Sequence, residues 1–291
     1  MEYLVSRLVS SFFVGTILSQ TGSLIQFSTR NLLASPSTLG FDGLSVLWIL
    51  VCHSLLIFIN MDESIGILFV LGVPTFVMVG IFFSSLMIRH KNIEKLIFMG
   101  LTFNLLVGAV FSLWQFLFVA FNLSFPTELW FGHFRFSDMN GVVILMTVEA
   151  LVLAGWLALK NDFALLSLGD LASKNLSLNF NKLYSFIFIS ISVGTFVVIN
   201  LFGAFSFMGL IFPILARKLW FKHFDLTGEL VFGAACNGIL LMGIDLLCYY
   251  FPIYGAEVPV GLIVTAVGAV SLILILWKSD NRLEILANRI K

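Results

Sequence analysis

Charge is what this chain lacks most. Of its 291 residues only 11% are Asp, Glu, Lys or Arg, against about 25% in a soluble domain. A water-facing surface of ordinary size cannot be made from that supply, which excludes a soluble globular protein. Cysteine is scarce too. Cys52, Cys236 and Cys248 each sit in an apolar run without metal-ligand spacing, so they read as small core residues and imply neither a disulfide framework nor a metal site. The four histidines, His53, His90, His133 and His223, fall on separate segments with no pair at ligand spacing. No GxxxxGK[ST] run is present. The nearest fragment, Gly169 to Lys174, lacks the glycines whose backbone amides cradle phosphate. This chain is therefore not expected to hydrolyse ATP, and no Ser, His and acid grouping points to another enzyme. No metal or cofactor is expected. The formal net charge of zero says nothing about partners, and no nucleic acid is expected among them. Signal-peptide anatomy is missing as well, because the first apolar run is long and no cleavage site follows a short core.

What the chain has in quantity is hydrocarbon: 59% of it is hydrophobic, with 32 phenylalanines. Runs long enough to cross about 30 Å at 1.5 Å per residue fall at Leu8–Phe27, Leu44–Asn60, Ser64–Ile88, Leu96–Phe121, Gly141–Leu159, Leu183–Leu201, Leu226–Tyr250 and Val258–Trp277. A further run, Gly203–Ala216, is short and follows its neighbour almost without a gap. The stretch Leu183–Ala216 is either one very long helix or a full span followed by a half-length one. Charge placement separates the two. With an external N-terminus and a break near Gly203, all of the 16 Lys and Arg except Arg7 and Arg135 fall on the inner side, as the positive-inside rule requires. Fusing the pieces would put Arg217, Lys218 and Lys222 opposite Lys182. The expectation is an all-α polytopic membrane protein with about nine spans and an internal C-terminus. Residues 1–291 form a single membrane domain, with no extramembrane domain.

One segment breaks the hydrocarbon pattern. Gly22 to Gly40 reads GSLIQFSTRNLLASPSTLG, a polar, helix-breaking hairpin between two apolar runs. Backbone that leaves helical geometry at membrane depth survives only where protein or a water-filled path satisfies its polar groups. The segment therefore points to a translocation pathway. Glu149, near the middle of the fifth run, should face protein or water. A hydrogen-bonded carboxyl at a helix interface is favoured for it over a proton relay, since no second mid-membrane acid or base is in register. Asp245 lies near the outer end of its run, where it can reach the interface or cap a neighbouring helix. Glycines at 15 and 22, and at 228, 233, 238 and 243, are expected to allow close helix packing. In the inner loop Lys160–Lys182, Leu165, Leu166, Leu168, Leu171, Ala172 and Leu176 fit one or two short amphipathic helices suited to docking a cytoplasmic subunit.

Four of these segments, in order, resemble the membrane subunits of bacterial ABC importers for iron–siderophores, haem and cobalamin. The hairpin supplies Gly22, Gln26, Asn31, Leu33, Ala34, Pro36, Leu39 and Gly40, with Leu32 where that family has proline. The loop element Leu168-Gly169-Asp170 with Ala172 is similar to the family's ATPase-contacting segment. Phe207, Gly209, Leu210, Pro213 and Arg217 match a third motif, with Ile214 in place of its histidine. Glu257, Pro259, Gly261 and Leu262 match a fourth.

The resemblance implies a permease subunit of an ATP-driven importer in the bacterial inner membrane, carrying a ferric siderophore, haem or cobalamin. The run Ser35-Pro36-Ser37-Thr38-Leu39-Gly40 looks more like siderophore members. It implies partners: ABC ATPase subunits, a periplasmic or lipoprotein substrate-binding protein, a second permease subunit of the same or another kind, and the lipid bilayer. Members usually have ten spans, and this chain starts where their second begins, so either their first helix is absent or the start of the chain is misassigned. Gate residues implied by the match are Asn31, Leu33 and Gln26, with Asn92 and Glu94 from the next inner loop. Coupling to the ATPase falls to Leu168, Gly169, Asp170, Ala172 and Leu176. Docking of the binding protein falls to Arg7, with Arg135. Against this stands an ion-coupled carrier acting alone through Glu149 and Asp245.

Overall fold

Apolar side chains every few turns leave lipid as the natural solvent of this chain, and in lipid a backbone must bond to itself. The computed structural model describes residues 2–59, 65–89, 93–121, 130–168, 178–220, 226–253 and 256–271 (backbone only at 57–59, 65–67, 93–94 and 218–220). Helices account for nearly all of these. Among the described residues the one extended pairing is an isolated bridge, Ile253 with Ala256.

In chain order the helices are α1 (Glu2–Thr29), α2 (Phe41–Ile59), α3 (Ile65–Arg89), α4 (Ile93–Ala120), α5 (Met139–Ala158), α6 (Lys160–Ser167), α7 (Phe180–Phe202) and α8 (Met208–Trp220). They are followed by α9 (Leu226–Tyr250) and α10 (Val260–Ser271). Six are long and apolar enough to span a bilayer, namely α1, α3, α4, α5, α7 and α9, while α2, α8 and α10 are shorter apolar helices. Each of the apolar runs read from the sequence thus has its helix. The break near Gly203 is real: α7 stops at Phe202, Gly203 takes a φ of 82°, and α8 restarts at Met208. That φ lies in the left-handed region where only glycine sits without strain.

The hairpin starts later than its composition implied. Residues 22–29 continue α1, and the chain leaves the helix only at Arg30, with a φ of 50°. Polar side chains did not end the helix because they found partners within it. Ser28 and Thr29 donate to the carbonyl of Ile25 at 3.1 and 2.6 Å. The breaking residues proper are Asn31, Pro36 and Gly40.

Helix α1 runs through the centre of the bundle, packed on α9, α8, α7 and α5, while α3 pairs with α7. Two features let α1 sit so close. A Cβ on Gly15 would lie 2.8 Å from the Cα of Gly238, and one on Gly22 would collide with the carbonyl of Gly209. These are small-residue contacts of the kind that hold membrane helices together through dispersion. Between Glu229 and Gly233 helix α9 widens into a π-helical turn, the distortion that typically re-aims side chains at functional places.

Candidate functional site

The polar residues of α1 form a line of interhelical bonds from one end of the bundle to the other. At the outer end Arg7, only 2% exposed, donates to both carboxylate oxygens of Asp245 at 2.8 to 3.1 Å and to Glu257 at 2.8 Å. Tyr249 lies under its guanidinium, 4.8 Å from the ring centre. Further along, Glu149 accepts from Gln20 Nε2 at 2.7 Å and from Thr16 Oγ1 at 3.3 Å. The same Gln20 amide donates to the carbonyl of Leu230 inside the π turn, at 3.0 Å. Asn237 bridges Ser19 Oγ (2.8 Å) and the carbonyl of Phe212 (2.9 Å). At the inner end Arg217 grips Glu229 with two bonds of 2.6 and 2.9 Å and donates to Gln26 Oε1 at 2.8 Å. The Gln26 amide in turn donates to the carbonyl of Leu210 at 3.0 Å. In a low-dielectric interior each charged group needs such partners.

Three non-helical segments converge on this framework. The first, residues 30–40, satisfies its own backbone. Asn31 Oδ1 accepts from Leu33 N at 2.9 Å, Ser35 and Thr38 exchange backbone-to-hydroxyl bonds of 2.8 and 3.0 Å, and Phe41 N reaches the Pro36 carbonyl at 3.0 Å. Leu32 and Leu33 stand out from it, 58% and 40% exposed, whereas Ala34 and Leu39 are buried. The second, 203–207, is stitched to the third, 131–138. Gly132 N donates to the Ala204 carbonyl at 2.8 Å, His133 N to that of Phe202 at 2.9 Å, and Gly261 N to that of Gly132 at 2.7 Å.

Among the described residues, cavities open at the ends and middle of this arrangement. An outer one of about 160 Å³ is lined by Arg7, His133, Arg135, Glu257 and their neighbours. An inner one of about 320 Å³ is lined by Gln26, Arg30, Leu32, Leu166 and Arg217 among others, and Arg30 Nη2 donates to the Leu166 carbonyl of α6 at 3.4 Å. The third, of about 420 Å³, lies between the hairpin, α2, α4 and the stitched loops.

The residues singled out from sequence are distributed as follows. Asn31 and Leu33 lie together at the hairpin tip, with Gln26 buried one turn back in α1. Glu94 falls on the first turn of α4, described there by its backbone alone, and Asn92 lies outside the described residues. Leu168, 63% exposed, sits at the end of α6, while Gly169, Asp170, Ala172 and Leu176 lie outside the described residues. Arg135 is exposed and Arg7 is not. Sequence reasoning named Arg7, Asp245, Glu257, Arg217 and Gln26 separately without joining them. Glu229 and Asn237 went unnoticed, although a carboxylate three residues from the start of an apolar run was a signal for the first.

A long helical bundle with broken spans and an internal polar line is the architecture of a membrane permease. A solved inward-facing structure described as of the metal-chelate ABC-transporter type shares the fold. Its TM-score is 0.73 at 23% identity, covering 94% of this chain and 85% of the other. The chain belongs to the FecCD transport family, which it matches over residues 1–278. It is 25% identical to the vitamin B12 import system permease protein BtuC of Vibrio vulnificus, over 94% of this chain and 81% of that one. To the petrobactin import system permease protein FatD of Bacillus anthracis it is 26% identical, over 94% and 80%.

Proposed function

We propose that the chain is the membrane-spanning permease subunit of an ATP-driven importer, and that its cargo is a ferric siderophore. One observation carries the proposal: the FecCD match extends over residues 1–278, which includes every interrupted segment described above. Relatives named for petrobactin import and for iron–citrate import support the iron-chelate choice. The similarity to a vitamin B12 permease favours cobalamin as the second reading. Residues 1–291 act as one membrane domain with the C-terminus on the cytoplasmic side.

In this reading a second permease subunit completes the pore and the bilayer surrounds the pair. Asn31 and Leu33 close the inner mouth by contact and dewetting, backed by Gln26 and by the loop carrying Asn92 and Glu94. ABC ATPases dock on α6 and the chain after it, from Leu168 through Gly169, Asp170 and Ala172 to Leu176. The bond from Arg30 to the Leu166 carbonyl connects that surface to the hairpin. A binding protein docks outside on Arg135, with Arg7 behind it holding Glu257 in place.

The test is reconstitution in proteoliposomes with candidate ATPase and binding-protein partners, comparing uptake of ⁵⁵Fe-siderophore and radiolabelled cobalamin with and without ATP. Iron-chelate uptake that requires ATP and both partners is expected. Uptake by the purified chain alone under an ion gradient would overturn the proposal in favour of a secondary carrier.

A further inference from the structure

The 420 Å³ cavity holds a carboxylate, Asp42, with no Lys or Arg among the described residues that line it. Gly43 N, beside Asp42, donates to Asn104 Oδ1 at 3.2 Å. Asn104 lies eleven residues along α4, about 16 Å from its start at 1.5 Å per residue. The first turn of α2 therefore lies at membrane depth and not at the water interface. Asp42 Oδ2 accepts one bond, from Ser37 Oγ at 2.5 Å, and the Asn104 amide donates to the Ser37 carbonyl. Asp245, Glu257 and Glu229 each have an arginine within 3 Å, and Glu149 has two side-chain donors, Gln20 and Thr16. A carboxylate at this depth belongs against protein or a water-filled cavity, and intramembrane acids in such cavities mark substrate pathways.

The rest of the cavity is built to accept a solute and not merely to leave a gap. Its walls include the backbone breaks at Ser37 and at Ala204 to Ser206, together with Trp130. Interrupted backbone at such depth belongs beside protein or water, not beside acyl chains. Trp130 is 38% exposed and Leu105 is 78% exposed, so an aromatic face and an aliphatic one flank the acid.

We infer that this cavity is a cargo-contact site that takes an ammonium-bearing arm of a metal chelate, with Asp42 as its counter-ion and Trp130 against its apolar stem. The inference deepens the importer reading and rests on it. It places discrimination in the permease itself: a chelate with a protonated amine is held better than the same chelate with the amine masked. Asn104 and Ser37 are positioning residues that hold Asp42 toward the opening.

A chemically matched pair of probes tests this. One is a linear ferric trihydroxamate ending in a free primary amine, and the other is its N-acetylated form. Binding of each to the full chain in lipid nanodiscs is followed by quenching of tryptophan fluorescence. The free-amine probe is expected to bind about tenfold tighter, the scale of one charge-assisted hydrogen bond. Asp42→Asn keeps the size and the acceptor for Ser37, and is expected to bring the ratio close to one. Leu105→Lys changes only an exposed wall residue, so it covers the case in which the first variant fails to fold. Its own ammonium should abolish the preference in the same way. A ratio near one in the unaltered protein, or a ratio that survives either substitution, overturns the inference. ATP dependence of uptake is read separately, so an importer reading that fails leaves the binding ratio standing as its own result.

Discussion

Helices α1 and α4 are each 28 residues long, yet they are built inside out relative to one another. Over their most apolar stretches α1 is 78% buried and α4 only 22%. The buried one carries the serines, threonines, glutamines and the arginine. The exposed one shows Phe98, Met99, Leu105, Leu106 and Phe116. In water the same pair would exchange places. In lipid there is no hydrophobic gain from burying leucine, so what earns a central position is the capacity for hydrogen bonds and close backbone approach. The most polar span is the axle, and one of the greasiest is the rim.

The largest expected departure from this contrast comes from removing a buried partner at the end of α1. Asp245→Ala leaves buried Arg7 with Glu257 as its remaining ion-pair partner and is expected to cost about 3 kcal/mol, the low end for a broken buried pair, seen as a loss of folded, monodisperse protein in detergent. The double change Arg7→Met with Asp245→Leu should restore much of it. An unaltered thermal midpoint for Asp245→Ala would show that α1 is not the structural centre. A smaller effect separates two glycines. Gly22→Leu would drive a side chain into the carbonyl of Gly209, whereas a Cβ at Gly108 on α4 meets only the far edge of the Trp130 ring at 3.8 Å. The first is expected to destabilise by about 1–3 kcal/mol and Gly108→Ala to be near neutral. Equal thermal shifts for the two would break the comparison. The smallest effect is expected at Glu149→Gln, which keeps an acceptor for Gln20 or Thr16. ATP-driven uptake should stay within about twofold, since one interhelical bond in a membrane averages roughly 0.6 kcal/mol. Abolished uptake would instead favour the proton-relay role for Glu149.

Much of the bundle could be read from the chain because lipid demands long apolar runs and a consistent side for the cations. That is why the break near Gly203 was visible: Arg217 and Lys182 could share a side only if a span ended between them. The start of the hairpin was less visible. Composition cannot show that Ser28 and Thr29 will bond back to Ile25 and so prolong the helix. The pairing of Arg7 with Asp245 spans 238 residues and depends on which helices become neighbours, which no local pattern encodes. The expectation that Glu149 is a hydrogen-bonded carboxyl needed only its depth and the lack of a mate in register. In the Lys160–Lys182 loop, a helix was foreseen from its leucines, and α6 occupies the first part of it.

The bonds between α1 and α9 have a mechanical meaning. The two helices are pinned together near both ends, at Ser19 with Asn237 and at Gln20 with the Leu230 carbonyl, the inner pin passing through Arg217 of α8. Rods riveted at several heights cannot slide lengthwise past each other without breaking every rivet. They can only tilt or turn as one rigid spar, so any wider opening of this subunit has to swing the thinner, lipid-facing staves around it.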